Sequence, residues 1–269
     1  NYGVGNLGDD ALEQYFLRTF SDVEWTVVRA KGWNGNKRIV PRLPFGIRSL
    51  CTPWWRTIVA IVHAERIVFG GGSLFTDIES LRAVILWSFH ALIAMIFQKP
   101  FILAFQGIGP CETSIGRGLT RFVLSHASQI SVRDTVSASF VKSLILNKKI
   151  VQTFDPIYKE FCSFTQDSIK NVFIINPRDN SSKTFIERSV SDAAESFKSG
   201  ACTEVRILLL KPDNPMECSI AEQLRSSFVN IPCQIVPVRS VQDLQCALQN
   251  VHSIMTQRYH GALAGMAKG

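Results

Sequence analysis

Short apolar segments alternate with longer segments of helical periodicity along almost the whole sequence, and this alternation constrains the fold more than any other feature. The alternation occurs in two runs. The first run predicts strands at residues 23–28, 66–69, 101–105, 129–132 and 150–154, with helices at 80–97, 118–125 and 136–146. The second run predicts strands at 172–175, 205–210, 234–238 and 253–256, with helices at 183–198, 219–228, 241–248 and 261–268. Short apolar strands that alternate with helices are typical of parallel sheets covered on both faces. The sequence therefore predicts an α/β fold.

A polar stretch at residues 158–170 separates the two runs and is the predicted domain boundary. We expect an N-terminal domain at residues 1–160 and a C-terminal domain at residues 170–269, each with a mainly parallel sheet. The length of 269 residues is sufficient for two such cores. Because the sequence begins at Asn1 rather than Met and ends within a predicted helix, we expect a fragment whose second domain is truncated.

The composition excludes several classes of protein. Apolar residues make up 46% and charged residues 19% of the sequence, which excludes a disordered chain. The longest apolar run, residues 84–97, is shorter than the roughly 20 residues that a membrane span needs, and it predicts a buried helix. The seven cysteines include no C-x-x-C pair. We therefore expect reduced thiols in a cytosolic protein rather than a disulfide framework or a zinc site.

Positive charge is concentrated in one segment. Eight basic residues lie between Arg29 and Arg66 against one acid, Glu65, and this excess equals the net charge of +7 of the whole chain. The segment contains a predicted insert at residues 31–56, in which three prolines and three tryptophans stand and in which we expect irregular structure. It is either a solvated loop or a contact surface for an anionic partner, such as a lipid headgroup or a phosphorylated substrate. No nucleic-acid recognition motif is present, and we expect no nucleic-acid partner.

Glycines and polar residues follow the predicted strands at the same relative position. Because open parallel sheets bind ligands at the carboxyl ends of their strands, these residues predict a site at that edge. They are Gly70, Gly71, Gly72, Ser73, Gln106, Gly107, Gly109, Arg133, Asp134, Asp155, Arg178, Arg258 and His260. The pattern alone does not name the chemistry of the site.

The sequence GVGNLGDD at residues 3–10 opens a helix that is predicted to run to about residue 20. Its glycines match the dinucleotide fingerprint G-x-G-x-x-G. However, Asp9 and Asp10 would repel a pyrophosphate at the helix N-terminus. They fit better as helix N-terminal acids, or as acids that hold a sugar hydroxyl or a proton in transit.

Two further motifs offer groups for anions and protons. The glycines of GGGS at residues 70–73 allow positive φ and an anion-binding turn, and Ser73 is suited to cap the next helix. A tight strand-to-helix turn is the structural alternative.

The motif QRYHG at residues 257–261 offers a fixed cation and a titratable group. Arg258 keeps its charge and is suited to bind an anion. His260 suits proton transfer near neutral pH, with helix capping or packing as the alternative. The other four histidines lie in or beside apolar segments, and we expect structural roles for them.

Together these motifs resemble those of the polysaccharide pyruvyltransferase family. The residues that carry the resemblance are, in order, GNLGDDA at 5–11, FGGGSL at 69–74, QGIGP at 106–110, SVRD at 131–134 and RYHGA at 258–262. They occur in the order of the family and span nearly the whole chain. The resemblance is thin at residues 31–56 and 158–170.

The resemblance implies a GT-B-like fold, in which two Rossmann-like domains with mainly parallel sheets face a cleft. It also implies transfer of pyruvate from phosphoenolpyruvate to a saccharide as a ketal, in the biosynthesis of cell-surface polysaccharides. His260 is then the leading catalytic residue, and Arg258 and Arg178 would hold the donor. Asp9, Asp10 or Asp134 would accept a hydroxyl proton. The other expected substrate-binding residues are Asn6, Gly70, Gly71, Gly72, Ser73, Gln106, Gly107, Gly109, Arg133 and Asp134.

Two other functions stay open at this point. One is a GT-B glycosyltransferase that uses a nucleotide sugar, and the other is a non-catalytic protein that binds saccharides or anionic surfaces. The expected reaction requires no metal and no cofactor besides its donor substrate. We expect a cytoplasmic protein with a saccharide or lipid-linked saccharide acceptor, in peripheral contact with the inner face of an anionic membrane.

Overall fold

The computed structural model describes residues 2–3, 5–78, 80–163 and 169–268. The helices are α1 Leu7–Thr19, α2 Trp55–His63, α3 Leu81–Ile96, α4 Ser114–His126, α5 Thr135–Leu144, α6 Tyr158–Cys162, α7 Lys183–Lys198, α8 Pro215–Ser226, α9 Val241–Ala247 and α10 Tyr259–Lys268, with a 3-10 helix at Ile47–Cys51. The strands are β1 Val27–Arg29, β2 Ile39–Pro41, β3 Ile67–Gly70, β4 Phe101–Gln106, β5 Gln129–Val132, β6 Ile150–Gln152, β7 Val172–Asn176, β8 Glu204–Leu209, β9 Cys233–Pro237 and β10 Val251–Thr256. Within these described ranges, no helix has the length and apolar character that crossing a membrane requires.

Two four-stranded parallel sheets form the framework of the protein. The first has the strand order β3-β4-β5-β6, and the second has the order β10-β7-β8-β9. A separate pair, β1 and β2, is also parallel. Helices connect the successive strands of the two larger sheets, as the sequence predicts for buried parallel strands. The expected α/β fold with parallel sheets is confirmed.

The chain divides into two compact units. Unit 1 comprises Asn1–Val4 and Leu12–Pro156, and unit 2 comprises Gly5–Ala11 and Ile157–Gly269. Unit 1 contains the first large sheet and unit 2 contains the second. Each unit has an apolar core of its own, in which buried strand residues pack against the inward faces of the connecting helices. The first-turn acids Asp9 and Asp10 of α1 therefore belong to unit 2.

The apolar run at residues 84–97 lies in α3 and is a helix of the core, as the sequence predicts. Its buried positions include Val84, Trp87, Ala91 and Ala94, which recur every three or four residues and therefore share one face of the helix. This face packs into the core of unit 1 together with β3 and β4 residues.

Two local expectations are wrong. The strand expected at 23–28 is found at Val27–Arg29. The insert at 31–56 is not irregular throughout, because it contains β2, the 3-10 helix and the start of α2. Its prolines are compatible with these elements, since Pro41 is the last residue of a strand in a two-stranded sheet and Pro53 stands just before α2. The polar stretch at 158–170 begins with the short helix α6, while its residues 164–168 lie outside the described residues.

His90 on α3 is buried and has the structural role that its apolar surroundings predict. Its Nε2 accepts a hydrogen bond from the backbone N–H of Leu43 (3.1 Å), so Nδ1 carries the proton and donates to the carbonyl of Leu86 (2.8 Å). Burial, with a smaller contribution from the charge of Arg42, lowers the pKa of His90 to about 4. The imidazole is therefore neutral at neutral pH.

This neutral histidine should make stability depend on pH. In the unfolded chain the imidazole titrates near the ordinary histidine pKa of 6.5, so below that pH the unfolded state binds the proton and the folded state does not. The free energy of unfolding should fall as pH falls from about 6.5 to about 4, by roughly 3 kcal/mol in total. Urea unfolding across this range measures it. His90→Gln should remove that dependence, whereas His126→Gln at an exposed site should keep it; equal acid sensitivity in all three proteins would contradict the assignment.

Candidate functional site

The sheet of unit 2 has a switch point between two of its strands. β7, β8 and β9 follow one another across the sheet, and the chain then returns to form β10 on the other side of β7. All three pairings are parallel, so the carboxyl ends of β7 and β10 lie side by side. Open parallel sheets bind ligands in the crevice at such a point. The residues that follow the two strands, which include Arg178, Arg258 and His260, therefore form the candidate site of unit 2.

Asn176, the last residue of β7, links the two strand ends and is a residue that the sequence analysis missed. Its buried side chain donates from Nδ2 to the carbonyl of Leu208 (2.9 Å) and accepts at Oδ1 from the hydroxyl of Thr256 (2.9 Å). The Thr256 hydroxyl also accepts the backbone N–H of Arg258 (3.0 Å). The backbone of Arg258 is therefore fixed to the end of β7. A polar residue at the end of an otherwise apolar strand was the available signal for Asn176.

Arg258 is held by a buried carboxylate that the sequence analysis also missed. Its Nη2 donates to Oε2 of Glu217 on α8. The side chain of Glu217 is 0% exposed and that of Arg258 is 10% exposed, so the pair is largely removed from water. The other carboxylate oxygen of Glu217 accepts the backbone N–H of Lys211, which follows β8 (3.0 Å). The contact orients the guanidinium through its Nη2 group.

The imidazole of His260 lies against the backbone of Gly8. A β-carbon at Gly8 would be closer than 3.0 Å to Nδ1, Cε1 and Cγ of His260, so the ring occupies the space of a side chain at residue 8. The first turn of α1 and the first turn of α10 therefore meet inside unit 2. His260 also stands within α10 rather than before it, because that helix begins at Tyr259 and not at the expected residue 261.

Asp9 and Asp10 lie in the first turn of α1, as the sequence predicts for helix N-terminal acids. Carboxylates are favourable there because they complement the unpaired N–H groups and the positive end of the helix dipole. Asn6 donates from Nδ2 to Oδ2 of Asp9 (3.1 Å), and Asp9 is buried while Asp10 is partly exposed. The same helix end thus carries two carboxylates and, at Gly8, the contact with His260. A role of either acid in proton transfer stays a prediction.

Arg178 belongs to the loop after β7, which is joined to the loop after β10. Its backbone N–H donates to the hydroxyl of Ser181 (2.8 Å), and that hydroxyl donates to Oε1 of Gln257. The backbone N–H of Gln257 donates in turn to the carbonyl of Asn176 (3.1 Å). Both loops at the switch point are therefore fixed to one another, and a ligand there would meet a preformed surface.

The glycines after β3 in unit 1 serve the packing of α1. Gly71 has φ +65°, and a β-carbon there would overlap the side chain of Leu12; one at Gly70 would overlap the ring of Phe16. The N–H of Gly71 donates to the carbonyl of Ala104 (2.7 Å), so this N–H group is already used. Of the three glycines expected to allow positive φ, Gly71 and Gly72 adopt it, whereas Gly70, the last residue of β3, does not. The close backbone approach expected here is made to residues of α1.

Ser73 does not cap a helix, and GGGS is not a tight strand-to-helix turn, so both expectations are wrong. A loop separates β3 from α3, which begins at Leu81. The Ser73 hydroxyl instead accepts a hydrogen bond from Nη2 of Arg133 (3.1 Å). Nη1 of Arg133 binds Oδ2 of the buried Asp155 (3.0 Å). Gly107 leaves room for this guanidinium, since a β-carbon there would lie 2.8 Å from Nη2.

The other unit 1 residues expected to bind substrate also have structural contacts. Asp134 caps α5 by accepting the backbone N–H of Ser137 (2.7 Å). Gln106 is fully buried, and its Nε2 donates to the carbonyls of Phe69 (2.9 Å) and Gly71 (2.7 Å). Gly109 has φ +71° and packs against the ring of Phe140.

Asp77 anchors the loop after β3 to the loop after β4. Its carboxylate accepts the backbone N–H groups of Glu112 (2.6 Å) and Thr113 (2.9 Å) and the hydroxyl of Thr113. Burial acts to raise the pKa of Asp77, but the hydrogen bonds together outweigh it, so the pKa lies below its ordinary value. A bridge between Phe75 and Ile108 joins the same two loops. The strand-end loops of unit 1 are therefore rigidly connected.

The expected site residues thus fall into two clusters, each within one unit. In unit 2 the structure brings together Asn6, Gly8, Asp9, Arg258 and His260, with Arg178 in the neighbouring loop and with Asn176 and Glu217 as supporting residues. In unit 1 it brings together Gly71, Ser73, Gln106, Gly107, Arg133 and Asp155. The unit 2 cluster contains an imidazole that lies against a helix turn bearing two carboxylates, and an oriented guanidinium. This set is suited to proton transfer and anion binding.

Comparison with protein families matches residues 6–269 to a family described as polysaccharide pyruvyl transferase. The match includes residues of both units and of every motif described above. No curated protein and no solved structure matches the chain.

Proposed function

Because this chain belongs to the polysaccharide pyruvyl transferase family, we propose that it transfers the pyruvyl group of phosphoenolpyruvate to two hydroxyls of a saccharide as a ketal. The protein is a transferase, and its family acts with a pyruvyl donor and a saccharide acceptor in polysaccharide biosynthesis. The family match over residues 6–269 is the observation that carries the proposal.

The proposed reaction sets out which groups the protein must supply. Phosphoenolpyruvate first gains a proton at its methylene carbon, which makes C2 an oxocarbenium-like electrophile. One sugar hydroxyl attacks C2 and loses its proton, phosphate leaves, and the second hydroxyl attacks C2 and loses its proton to close the ketal. The reaction therefore needs one proton donor, cations for the phosphate and carboxylate of the donor, and a base for the hydroxyls.

We propose that His260 donates the proton to the methylene carbon. An imidazole both gives and accepts a proton near neutral pH, and His260 follows the switch point at which a ligand is expected. Asp9 or Asp10 is proposed as the base, because both carboxylates lie on the helix turn that contacts His260. Asp134 is the weaker candidate, since its carboxylate caps α5.

The donor anion is proposed to bind Arg258 and Arg178 at the loops after β10 and β7. The support for Arg258 is its orientation by Glu217, because a fixed guanidinium presents paired N–H groups to a carboxylate or phosphate. For Arg133 the support is smaller, because its guanidinium already binds Asp155 and Ser73. Asn6 and the strand-end residues of unit 1 remain proposed contacts of the acceptor or the donor.

The arrangement of the whole protein is also a proposal. We propose a GT-B-like fold with domains at residues 1–160 and 170–269 that face a cleft, on the strength of the family match. We further propose that the protein acts in the cytoplasm on a saccharide or lipid-linked saccharide, in peripheral contact with the inner face of the membrane.

Phosphate release from phosphoenolpyruvate tests the function. The protein is incubated with phosphoenolpyruvate and a panel of lipid-linked and nitrophenyl saccharides, and it should release phosphate only when an acceptor is present. His260→Ala should lose about 10²- to 10⁴-fold in kcat, while phosphoenolpyruvate still raises its melting temperature. Stabilisation by UDP or GDP instead would indicate a glycosyltransferase. Absence of phosphate release with every acceptor would indicate a binding protein, and either result contradicts the proposal.

A further inference from the structure

The 3-10 helix and α2 of unit 1 expose apolar side chains where a surface helix normally exposes polar ones. On α2, Thr57 and Ile61 face the interior, and the opposite, exposed positions include Trp55, Val59 and Val62. These three positions are four and three residues apart, so they form one apolar stripe along the helix. The 3-10 helix just before it exposes Leu50 and Ile47, the latter to 86%. Exposed apolar side chains on two consecutive helices form a candidate interaction site.

Exposed basic residues lie near the two ends of α2. Arg56 donates hydrogen bonds to the carbonyls of Trp33 (3.0 Å) and Asn36 (2.7 Å), which fixes the loop between β1 and β2 beside the start of α2. That loop carries Lys37 and Arg38, which are both exposed. Arg66, shortly after the end of α2, is exposed as well. Cations therefore accompany the start of the apolar stripe, whereas at its end Arg66 stands beside the exposed Glu65.

Part of the positive charge of this segment has a structural use. Arg29 forms an ion pair with the buried Glu13, and the guanidinium of Arg42 lies 5.8 Å from the ring centroid of Trp87. Arg56 holds the β1–β2 loop. Lys37 and Arg38 have no such internal role in the described residues, apart from a long contact of Arg38 with the exposed Glu24 (3.6 Å). They are the cations available to an external partner.

We infer that this basic–apolar surface, formed by Ile47, Leu50, Trp55, Val59, Val62, Lys37 and Arg38, docks on an anionic lipid bilayer. An apolar helix face that bears a tryptophan and has lysine and arginine beside it is suited to lie at the boundary between headgroups and acyl chains. Anionic headgroups attract the cations, and the effect acts near the membrane surface. A second copy of the chain is a poorer partner, because a twofold contact through this face would bring Lys37 and Arg38 of both copies together.

This inference rests on the membrane contact proposed above and not on the transfer reaction. Turnover of a soluble nitrophenyl saccharide should therefore be unchanged by substitutions in the basic–apolar surface. Phosphate release and vesicle binding are measured separately, so that failure of one proposal is distinguishable from failure of the other.

Vesicle co-sedimentation tests the inference. The protein should bind vesicles of phosphatidylcholine mixed with phosphatidylglycerol, bind phosphatidylcholine alone much more weakly, and lose binding as salt is raised. Ile47→Asp with Leu50→Asp should reduce the partition coefficient at least about ten-fold, and Lys37→Ser with Arg38→Ser should do the same. The first pair removes apolar contact of the 3-10 helix and also adds two negative charges. The second pair removes two cations and leaves every apolar residue of the surface in place, so it tests the electrostatic component by itself.

Matched controls change the same chemistry elsewhere. Leu146→Asp with Val229→Asp replaces two exposed apolar residues, and Lys183→Ser with Arg188→Ser removes two exposed cations of α7. Both controls should bind the mixed vesicles like the unmodified protein. The inference is overturned if the unmodified protein does not bind mixed vesicles, if the controls lose binding equally, or if size-exclusion chromatography shows that Ile47→Asp with Leu50→Asp only converts a dimer into a monomer.

Discussion

Gly8→Ala should reduce kcat about 10²- to 10⁴-fold while the protein stays folded, which is the loss typical of a displaced acid–base group. A β-carbon at residue 8 would overlap the imidazole of His260, so the ring must move away from its present position. Alanine is the better helix former by about 1 kcal/mol, so a loss of turnover would not come from a weakened α1. Phosphate release and circular dichroism measure the two properties.

Gly118→Ala is the matched control for this substitution. Gly118 also lies within a helix, and nothing lies within 4 Å of a β-carbon built there. Gly118→Ala should therefore leave kcat unchanged. In a His260→Ala background, Gly8→Ala should cause no further loss, because the atoms that it would displace are gone. Full turnover by the Gly8→Ala single variant would show that the contact is packing and not part of the catalytic geometry.

Gly8 also shows where sequence reasoning reaches its limit. The GNLGDDA and RYHGA motifs are both visible in the sequence, and both contribute residues to the predicted site. Their contact depends on β10 returning to the far side of β7, which is a long-range pairing that no local pattern encodes. The sequence therefore predicts which residues belong to the site but not that residue 8 is a glycine because of residue 260.

Local elements were predictable where their signals were strong. The bounds of α7 at Lys183–Lys198 and of β5 at Gln129–Val132 agree with the sequence prediction. The helix is capped by Ser182, and the strand is short, with apolar residues that alternate with polar ones. α4 and α8 begin about a turn earlier than expected. Their first turns carry few core positions, and their starts are set by the caps Thr113 and Asn214 rather than by apolar periodicity.

Buried polar residues were the hardest part of the site to foresee. Glu217 stands in the first turn of α8, where an acid is ordinary on a solvated helix. Its complete burial follows from the packing of α8 on β8 and from the position of Arg258 at the switch point. Asn176 is comparable, because its role depends on Thr256 of the neighbouring strand. Such supporting residues are defined by tertiary contacts, which a single sequence does not contain.

Glu217→Gln should lower the free energy of unfolding by about 3–5 kcal/mol, because it leaves Arg258 as a largely buried charge without its carboxylate. The amide has nearly the shape of the carboxylate, so the change removes charge without opening a cavity. Glu222→Gln on the same helix is the matched control. Its pair with Arg225 is exposed, and its loss should change the free energy of unfolding by less than about 1 kcal/mol.

Kinetics of the folded fraction separate a positioning role of Glu217 from a purely structural one. If Glu217 orients Arg258 toward the donor, Glu217→Gln should raise KM for phosphoenolpyruvate with a smaller change in kcat, because the guanidinium binds the donor anion and transfers no proton. Arg258→Ala should raise KM as well, and Arg258→Lys should restore little, since a lysine cannot reproduce a paired contact to both Glu217 and an anion. An unchanged KM in folded Glu217→Gln would restrict the buried pair to stability and leave Arg178 as the principal donor-binding residue.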